Sequence, residues 1–432
     1  MTTCGYMKIL DCTKIKEKAY IEELDNGLKV IVVPKPETNK KYVIWGTNFG
    51  SNDNRFIYPE TDEEVIVPDG VAHFLEHKMF EQPDGTNSLD KLMALGLEAN
   101  AYTTNDHTAY LFECSDDSAF YAGLDELMDY VQSPYYTDQN VEKEKGIIGQ
   151  EIMMYDDDPG FQLYLDTLKC LYTKNPIRID IAGSIETIAG IHPDILYKCY
   201  NTFYNPSNMV LVVCGNFEPN EILGEIKKRL KPSKNIGKIT RIFDEEPDGI
   251  FQKYMEKEMS VSMPIFMIGV KDKIVAPEER VKRHMAIEII LGLIIGKSSS
   301  LYKNLYENKN VFGEVDFEYE FSKRYAHVLV SGQSNNPQLV QDMLITEIEK
   351  LKREQINEAD FERVKRKVYG DFVTEFNDVG SISRMFLSDS IKEVNSFDYV
   401  DKYDEITPEY VANILNEVFV EDHMALSVIK GK

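Results

Sequence analysis

The chain repeats itself at long range, and that constrains its fold more than any other feature. Residues 192–216 read HPDILYKCYNTFYNPSNMVLVVCGN, and residues 407–431 read TPEYVANILNEVFVEDHMALSVIKG. Each opens with X-Pro-acid, a helix start signal, and runs through an apolar helical stretch. Each then breaks at a few polar residues and ends in an apolar strand that begins at methionine. Upstream, Val141–Ile152 (VEKEKGIIGQEI) lines up with Phe361–Phe372 (FERVKRKVYGDF). Similarity at so long a period means two copies of one α+β unit rather than a solenoid of short repeats. The expected architecture is α+β: two tandem homologous α+β units, each a largely antiparallel sheet with helices packed on one face. Between the copies, residues 230–249 (LKPSKNIGKITRIFDEEPDG) are rich in Pro, Gly, Lys and acidic residues and lack a helical period. The expected organisation is an N-terminal unit over 1–235, a linker over 236–249 and a C-terminal unit over 250–432.

Inside the first copy, Leu28–Val33 follows an Asn26-Gly27 turn and reads as a strand, as does Tyr42–Trp45. An apolar helical run follows Pro68-Asp69-Gly70, with Asp69 as the expected N-cap. A helix over Asn87–Leu95 stopped by Gly96, strands over Glu98–Tyr102 and Thr108–Cys114, and helices over Ala119–Gln132 and Asp138–Met154 come next. Asp156-Asp157-Asp158-Pro159-Gly160 breaks the last of these. The longest apolar run, Ile287–Ile295 (IEIILGLII), is far too short to span a bilayer and reads as a core helix, so no membrane insertion is expected. A net charge of −25 argues against a nucleic-acid partner, because phosphate binding needs clustered Lys and Arg. None of the six cysteines, Cys4, Cys12, Cys114, Cys170, Cys199 and Cys214, forms CxxC, and four lie in apolar or aromatic surroundings. With no signal peptide legible in the first residues, this points to reduced thiols and a cytoplasmic location.

Only seven histidines occur in 432 residues, and two of them fall in VAHFLEHKMF, residues 71–80. On a helix, positions four apart share a face at about 6 Å between Cβ atoms. His73 and His77 can therefore offer two imidazoles to one ion, with Glu76 on nearly the same side. H-x-x-E-H is the inverse of the H-E-x-x-H metallopeptidase motif, and zinc accepts histidine nitrogen and carboxylate oxygen. The same five residues also arise by chance and can simply pack a core. A third ligand on another helix decides between the two. Glu144 and Glu151, seven apart, share one face of the helix expected over Asp138–Met154.

HxxEH followed by a glutamate 74 positions after His77 (151 − 77), in an E-x6-E helix, resembles the pitrilysin and mitochondrial-processing-peptidase family of inverted-motif zinc peptidases. The resemblance extends to Asn100-Ala101-Tyr102-Thr103 ahead of Thr108-Ala109-Tyr110, to Asp156-Asp157-Asp158-Pro159 and to Asn205-Pro206-Ser207-Asn208-Met209. It is nearest to the short bacterial members that work in pairs. It implies that His73, His77 and Glu151 bind one Zn2+ ion. Glu76 would be the general base that takes a proton from the attacking water and passes it to the leaving amine. Glu144 would orient an imidazole by hydrogen bond. Asn100, Ala101, Tyr102 and Thr103 would form a sheet edge to which an extended peptide adds as a strand. The implied activity is a zinc-dependent endopeptidase cleaving short or unfolded peptides, leader or signal peptides among them, inside a clamshell chamber.

The second copy has lost the set. Glu144 falls on Val364, Glu151 on Asp371, and no HxxEH occurs there, so one zinc per chain is expected. His284, His327 and His423 are scattered and read as surface or structural residues. In family members that complete their own site, the later unit carries R-x6-Y, whose side chains hold the substrate carbonyl and the developing oxyanion. The matching stretch is LYENKNVFG, residues 305–313, with Tyr306 at the arginine position and Gly313 at the tyrosine position. Either this chain works weakly without those donors or a partner supplies them. The resemblance implies the second: a homologous, otherwise inactive subunit contributing Arg and Tyr in a two-chain assembly. The alternative from another class is a non-catalytic peptide-binding or scaffold subunit. The intact His73, Glu76, His77 and Glu151 argue against that, since a scaffold has no physical need of them. Purely structural zinc fits less well, because structural sites close with four protein ligands, often cysteine.

Overall fold

The computed structural model describes residues 7–431, so Cys4 lies outside the described residues. The first sheet is built from β1 (Lys8–Cys12), β2 (Glu17–Glu23), β3 (Lys29–Pro34) and β4 (Lys41–Thr47). A separate hairpin, β5 (Arg55–Tyr58) and β6 (Glu63–Ile66), follows. β7 (Glu98–Thr103), β8 (Thr108–Cys114) and β9 (Met209–Gly215) complete the sheet, in the order β1-β2-β3-β9-β4-β8-β7. The second sheet takes β10 (Tyr254–Met259), β11 (Ile265–Asp272), β12 (Asp316–Phe321), β13 (Ala326–Gln333) and β14 (Met424–Gly431) in the order β10-β14-β11-β13-β12.

These two sheets share one topology. β3-β9-β4-β8-β7 matches β10-β14-β11-β13-β12 pair for pair, with the first pair parallel and the remaining pairs antiparallel in both. The sequence repeat lies on equivalent elements. The helix Pro193–Phe203 leads into β9, and the helix Pro408–Val418 leads into β14. β9 is buried at every position because it is central and covered on both faces, which is why it is apolar throughout rather than alternating.

The compact units are not contiguous halves. One takes the described residues up to Ile152, Asp180–Phe243 and Val373–Phe397; the other takes Met153–Ile179, Asp244–Phe372 and the residues from Asp398 on. In the first unit, the helix Val379–Ile391 packs on β4 and β9. It approaches so closely that a Cβ on Gly46 would stand 2.6 Å from Leu387 Cδ1. In the second unit, the helix Pro159–Leu171 packs on β11 and β14. The expected boundaries 1–235, 236–249 and 250–432 are therefore corrected at both segments, because long-range packing assigns each helix to a sheet its own half does not contain. The face of β4 opposite the exchanged helix carries Val43 and Trp45, which join Phe74, Leu75, Phe120 and Leu124 in one core.

The linker expectation is also corrected. Ile57 N–H donates to Thr240 O at 2.9 Å, Ile242 N–H donates to Arg55 O at 2.9 Å, and Arg241 Nε donates to Asp53 at 2.7 Å. Residues 240–242 thus pair with β5 in the first unit. Past the division, Glu246 in the second unit accepts the backbone N–H groups of Thr173, Lys174 and Asn175. Asp158 breaks one helix and starts another: its side chain accepts from Phe161 N–H, and Pro159 occupies the first helical position. The apolar run at 287–295 falls in the helix Pro277–Ile294, whose isoleucines are mostly buried. Among the described residues, no helix is long and apolar enough to cross a membrane. No disulfide joins any two of the five described cysteines, and Cys12, Cys170, Cys199 and Cys214 are buried.

Candidate active site

The HxxEH sequence forms the helix Val71–Lys78. Asp69 does not cap it. The N-cap is Gly70 at φ +94°, with no side-chain cap, and Asp69 instead accepts a hydrogen bond from Asn54 Nδ2. Glycine is needed at 70 because a Cβ would stand 2.4 Å from Ala182 O. Val71, Ala72, Phe74 and Leu75 bury one side of the helix in the core and leave His73 and His77 turned toward the second helix, Asp138–Asp156.

That second helix brings in both glutamates. His73 Nε2 lies 3.6 Å from Glu151 Oε1, and His77 Nε2 lies 3.6 Å from Glu151 Oε2. The ligand atoms of His73, His77 and Glu151 all fall within 4.8 Å of one another. A separation of 3.6 Å is too long for a hydrogen bond. It is close to the edge of about 3.4 Å that a tetrahedral zinc ion imposes on two ligands bonded at 2.0–2.1 Å. The donor set, two imidazole nitrogens and a carboxylate, is one that zinc takes in catalytic sites with a position left open. These residues fit the ion.

Glu144 stands behind His77, with Oε1 3.0 Å from Nδ1. A carboxylate only accepts, so Nδ1 carries the proton and donates, which leaves the Nε2 lone pair free. Burial works against charge on His77, but the bond to Glu144 and the charges of Glu76, Glu144 and Glu151 raise its pKa on balance. Burial, helped by the neighbouring His77, pushes His73 down to about 3, so it stays neutral and able to ligate. Burial would raise Glu144, yet His77 and Lys78 hold it below the ordinary carboxylate range. Glu76 lies beside the triangle, and burial raises its carboxyl despite a 2.6 Å hydrogen bond from the Thr103 hydroxyl to Oε2. A raised pKa brings a carboxylate closer to what a general base needs near neutrality.

Thr103 belongs to β7, which among the described residues is an edge strand paired with β8 alone. Thr104 N–H donates to His107 O across the hairpin that joins these strands. Ladder bonds alternate along an antiparallel pair, so Asn100 and Tyr102 bond to β8 while Ala101 and Thr103 turn their backbone groups to the open edge. Consistent with this, Ala101 N–H is taken by the side-chain oxygen of Asn100 at 2.9 Å. The four edge residues named from the sequence thus lie on one strand, tied to the Glu76 carboxylate through Thr103. Two features escaped the sequence reading. The Thr103–Glu76 bond joins residues 27 apart and has no sequence signal. Lys78 has none either, because a lysine that follows Glu76 and His77 reads as an ordinary solvated charge.

Residues 64–180 match the family described as Insulinase (Peptidase family M16), and residues 190–368 match Peptidase M16 inactive domain. The chain is similar to the uncharacterized zinc protease YmfH of Bacillus subtilis (strain 168), at 37% identity over 434 residues, 99% of this chain and 100% of that one. It is 25% identical over 418 residues to the uncharacterized zinc protease YmxG of the same organism, covering 94% and 96%. Among solved structures it is similar to an M16-like peptidase from Alicyclobacillus acidocaldarius, with TM-score 0.92, 31% identity and coverage of 98% and 100%. It shares the fold of pitrilysin at TM-score 0.75 and 17% identity, covering 99% of this chain and 46% of that one. The two matched segments, the full-length likeness to a zinc protease and the shared two-unit fold place this chain in the insulinase family of zinc proteases, peptidase family M16.

Proposed function

We propose that this chain is a zinc-dependent endopeptidase for short or unfolded peptides, the catalytic subunit of a two-chain assembly working in the cytoplasm. The observation that carries the reading is the convergence of His73, His77 and Glu151, with both imidazoles 3.6 Å from one carboxylate. A zinc ion held there supplies Lewis acidity and lowers the pKa of water toward about 7. Glu76 takes the proton from the attacking water and returns it to the leaving amine, while Thr103 fixes its Oε2. Glu144 holds His77 in the ligating tautomer. The open edge at Ala101 and Thr103 receives an extended peptide by main-chain pairing, which sets its carbonyl beside Glu76 and excludes folded substrates.

The two-chain part is supported by what this chain does not carry. Tyr306 is more than half exposed on the helix Ser300–Glu307, and Gly313 has no side chain to offer. The chain also spans about half of pitrilysin. A second, homologous chain with Arg and Tyr would supply the missing oxyanion donors. The buried thiols of Cys170, Cys199 and Cys214 support a reducing compartment.

Glu76→Gln tests the chemistry. The amide still accepts from Thr103, so zinc content stays unchanged while cleavage of an unfolded peptide falls by about 10²–10⁴-fold. Unaltered cleavage by an assembly containing the variant would leave the scaffold reading in place. Full turnover by the purified chain alone would remove the two-chain part.

A further inference from the structure

We propose that Lys78 is a positioning residue of the metal centre: it fixes the orientation of Glu144 and, through Glu144, the ring and tautomer of His77. The inference rests on the zinc reading above. Lys78 ends the motif helix and is fully buried, at 0% exposure. Lysine is almost never buried unless paired, and this one is paired twice. Nζ lies 2.7 Å from Glu81 Oε2 and 3.4 Å from Glu144 Oε2.

The division of Glu144 between its neighbours is what matters. Oε2 faces the ammonium of Lys78, and Oε1 faces Nδ1 of His77. Consecutive residues on a helix point about 100° apart, so they reach one carboxylate from two sides and clamp its plane. With Oε2 held, Oε1 has one direction left, toward the imidazole. Nδ1–H then has a fixed acceptor, and Nε2 stays aimed at Glu151.

Stability alone gives no reason for this lysine. Glu81, one turn along the chain, already balances its charge. An apolar side chain of similar volume at a fully buried position is often neutral or better for stability than an ion pair. The second contact, to the carboxylate that orients a ligand, is the one that a purely structural role does not require.

A double-mutant cycle on the full chain tests this, read as zinc affinity by competition with a chromophoric chelator and as the visible spectrum of the Co2+-loaded protein. Lys78→Met is expected to weaken zinc binding by about 10-fold, the low end for loss of a group supporting a ligand. Added to Glu144→Gln, it should cause no further loss, because Lys78 acts only through Glu144. Lys78→Met/Glu81→Gln, which also neutralises the carboxylate left behind, guards against misfolding of the single variant and should show the same loss. The Co2+ spectrum should shift in both Lys78 variants. Wild-type affinity in Lys78→Met/Glu81→Gln would overturn the proposal. So would an equal loss from Lys78→Met in wild-type and Glu144→Gln backgrounds. A wild-type chain that takes up no zinc would instead end the metal reading itself.

Discussion

Glu288 in the second unit should make the stability of that unit fall as pH rises toward neutrality. It lies on the helix Pro277–Ile294 with a quarter of its side chain exposed. Burial pushes its carboxyl from 4.5 up to about 7. The backbone N–H of Tyr319 and the charge of Lys367 oppose the rise, and Glu318 and Asp371 add to it. His284 Nε2 stands 3.9 Å from Oε1. The folded state therefore keeps a proton that the unfolded chain releases between pH 4.5 and 7. The stabilisation is complete below pH 4.5 and is lost as pH climbs through 7. A rise of about 2.5 units at 1.36 kcal/mol each gives about 3 kcal/mol, and the exposed quarter trims this to about 2 kcal/mol. Glu288→Gln stays neutral at every pH and still accepts from Tyr319. Urea unfolding at pH 5 and pH 8, followed by circular dichroism, should show the wild type losing about 2 kcal/mol more than the variant. His107 and His327, buried and pushed down to about 3, titrate alike in both proteins and cancel. Parallel pH curves for wild type and variant would refute the reasoning.

Further outcomes are expected at the first unit. Glu151→Gln should weaken zinc binding by on the order of 100-fold or more if Glu151 is the third ligand, as proposed; Asp371→Asn, at the matching place in the second copy, should leave chelator-competition affinity unchanged. Ala101→Pro should remove an outward edge donor without touching the β8 ladder. One backbone hydrogen bond is worth about 1 kcal/mol, so KM for an unfolded peptide should rise about 5- to 10-fold at unchanged zinc content. Gly46→Ala should destabilise the first unit by about 1–3 kcal/mol, because its Cβ meets Leu387 Cδ1 at 2.6 Å, and Leu387→Ala in the same protein should recover part of that in a Trp45-monitored melt.

The convergence of His73, His77 and Glu151 was in part legible in the sequence because part of its signal is local. Two histidines one helical turn apart and two glutamates two turns apart need only a helix to share a face, and both helices formed where their periodicity placed them. The α+β repeat was legible for the same reason, as the helix-then-strand pattern recurs within a short window. What escaped depends on packing between distant residues. Nothing in PGFQLYLDTLKCL or VGSISRMFLSDSI says which sheet it will cover, because an amphipathic helix fits any apolar face of the right shape. The segment at 240–242 looked like a linker, since one strand of backbone bonds leaves no mark on side-chain pattern. Spacing put His73 with His77 on one helix face and Glu144 with Glu151 on another, and the choice of Glu151 as the third ligand came from the family resemblance. Only the tertiary structure decided that Thr103 holds Glu76, that Lys78 holds Glu144, and that each sheet is closed by a helix from the other half of the chain. Such contacts follow from three-dimensional proximity, on which sequence separation places almost no limit.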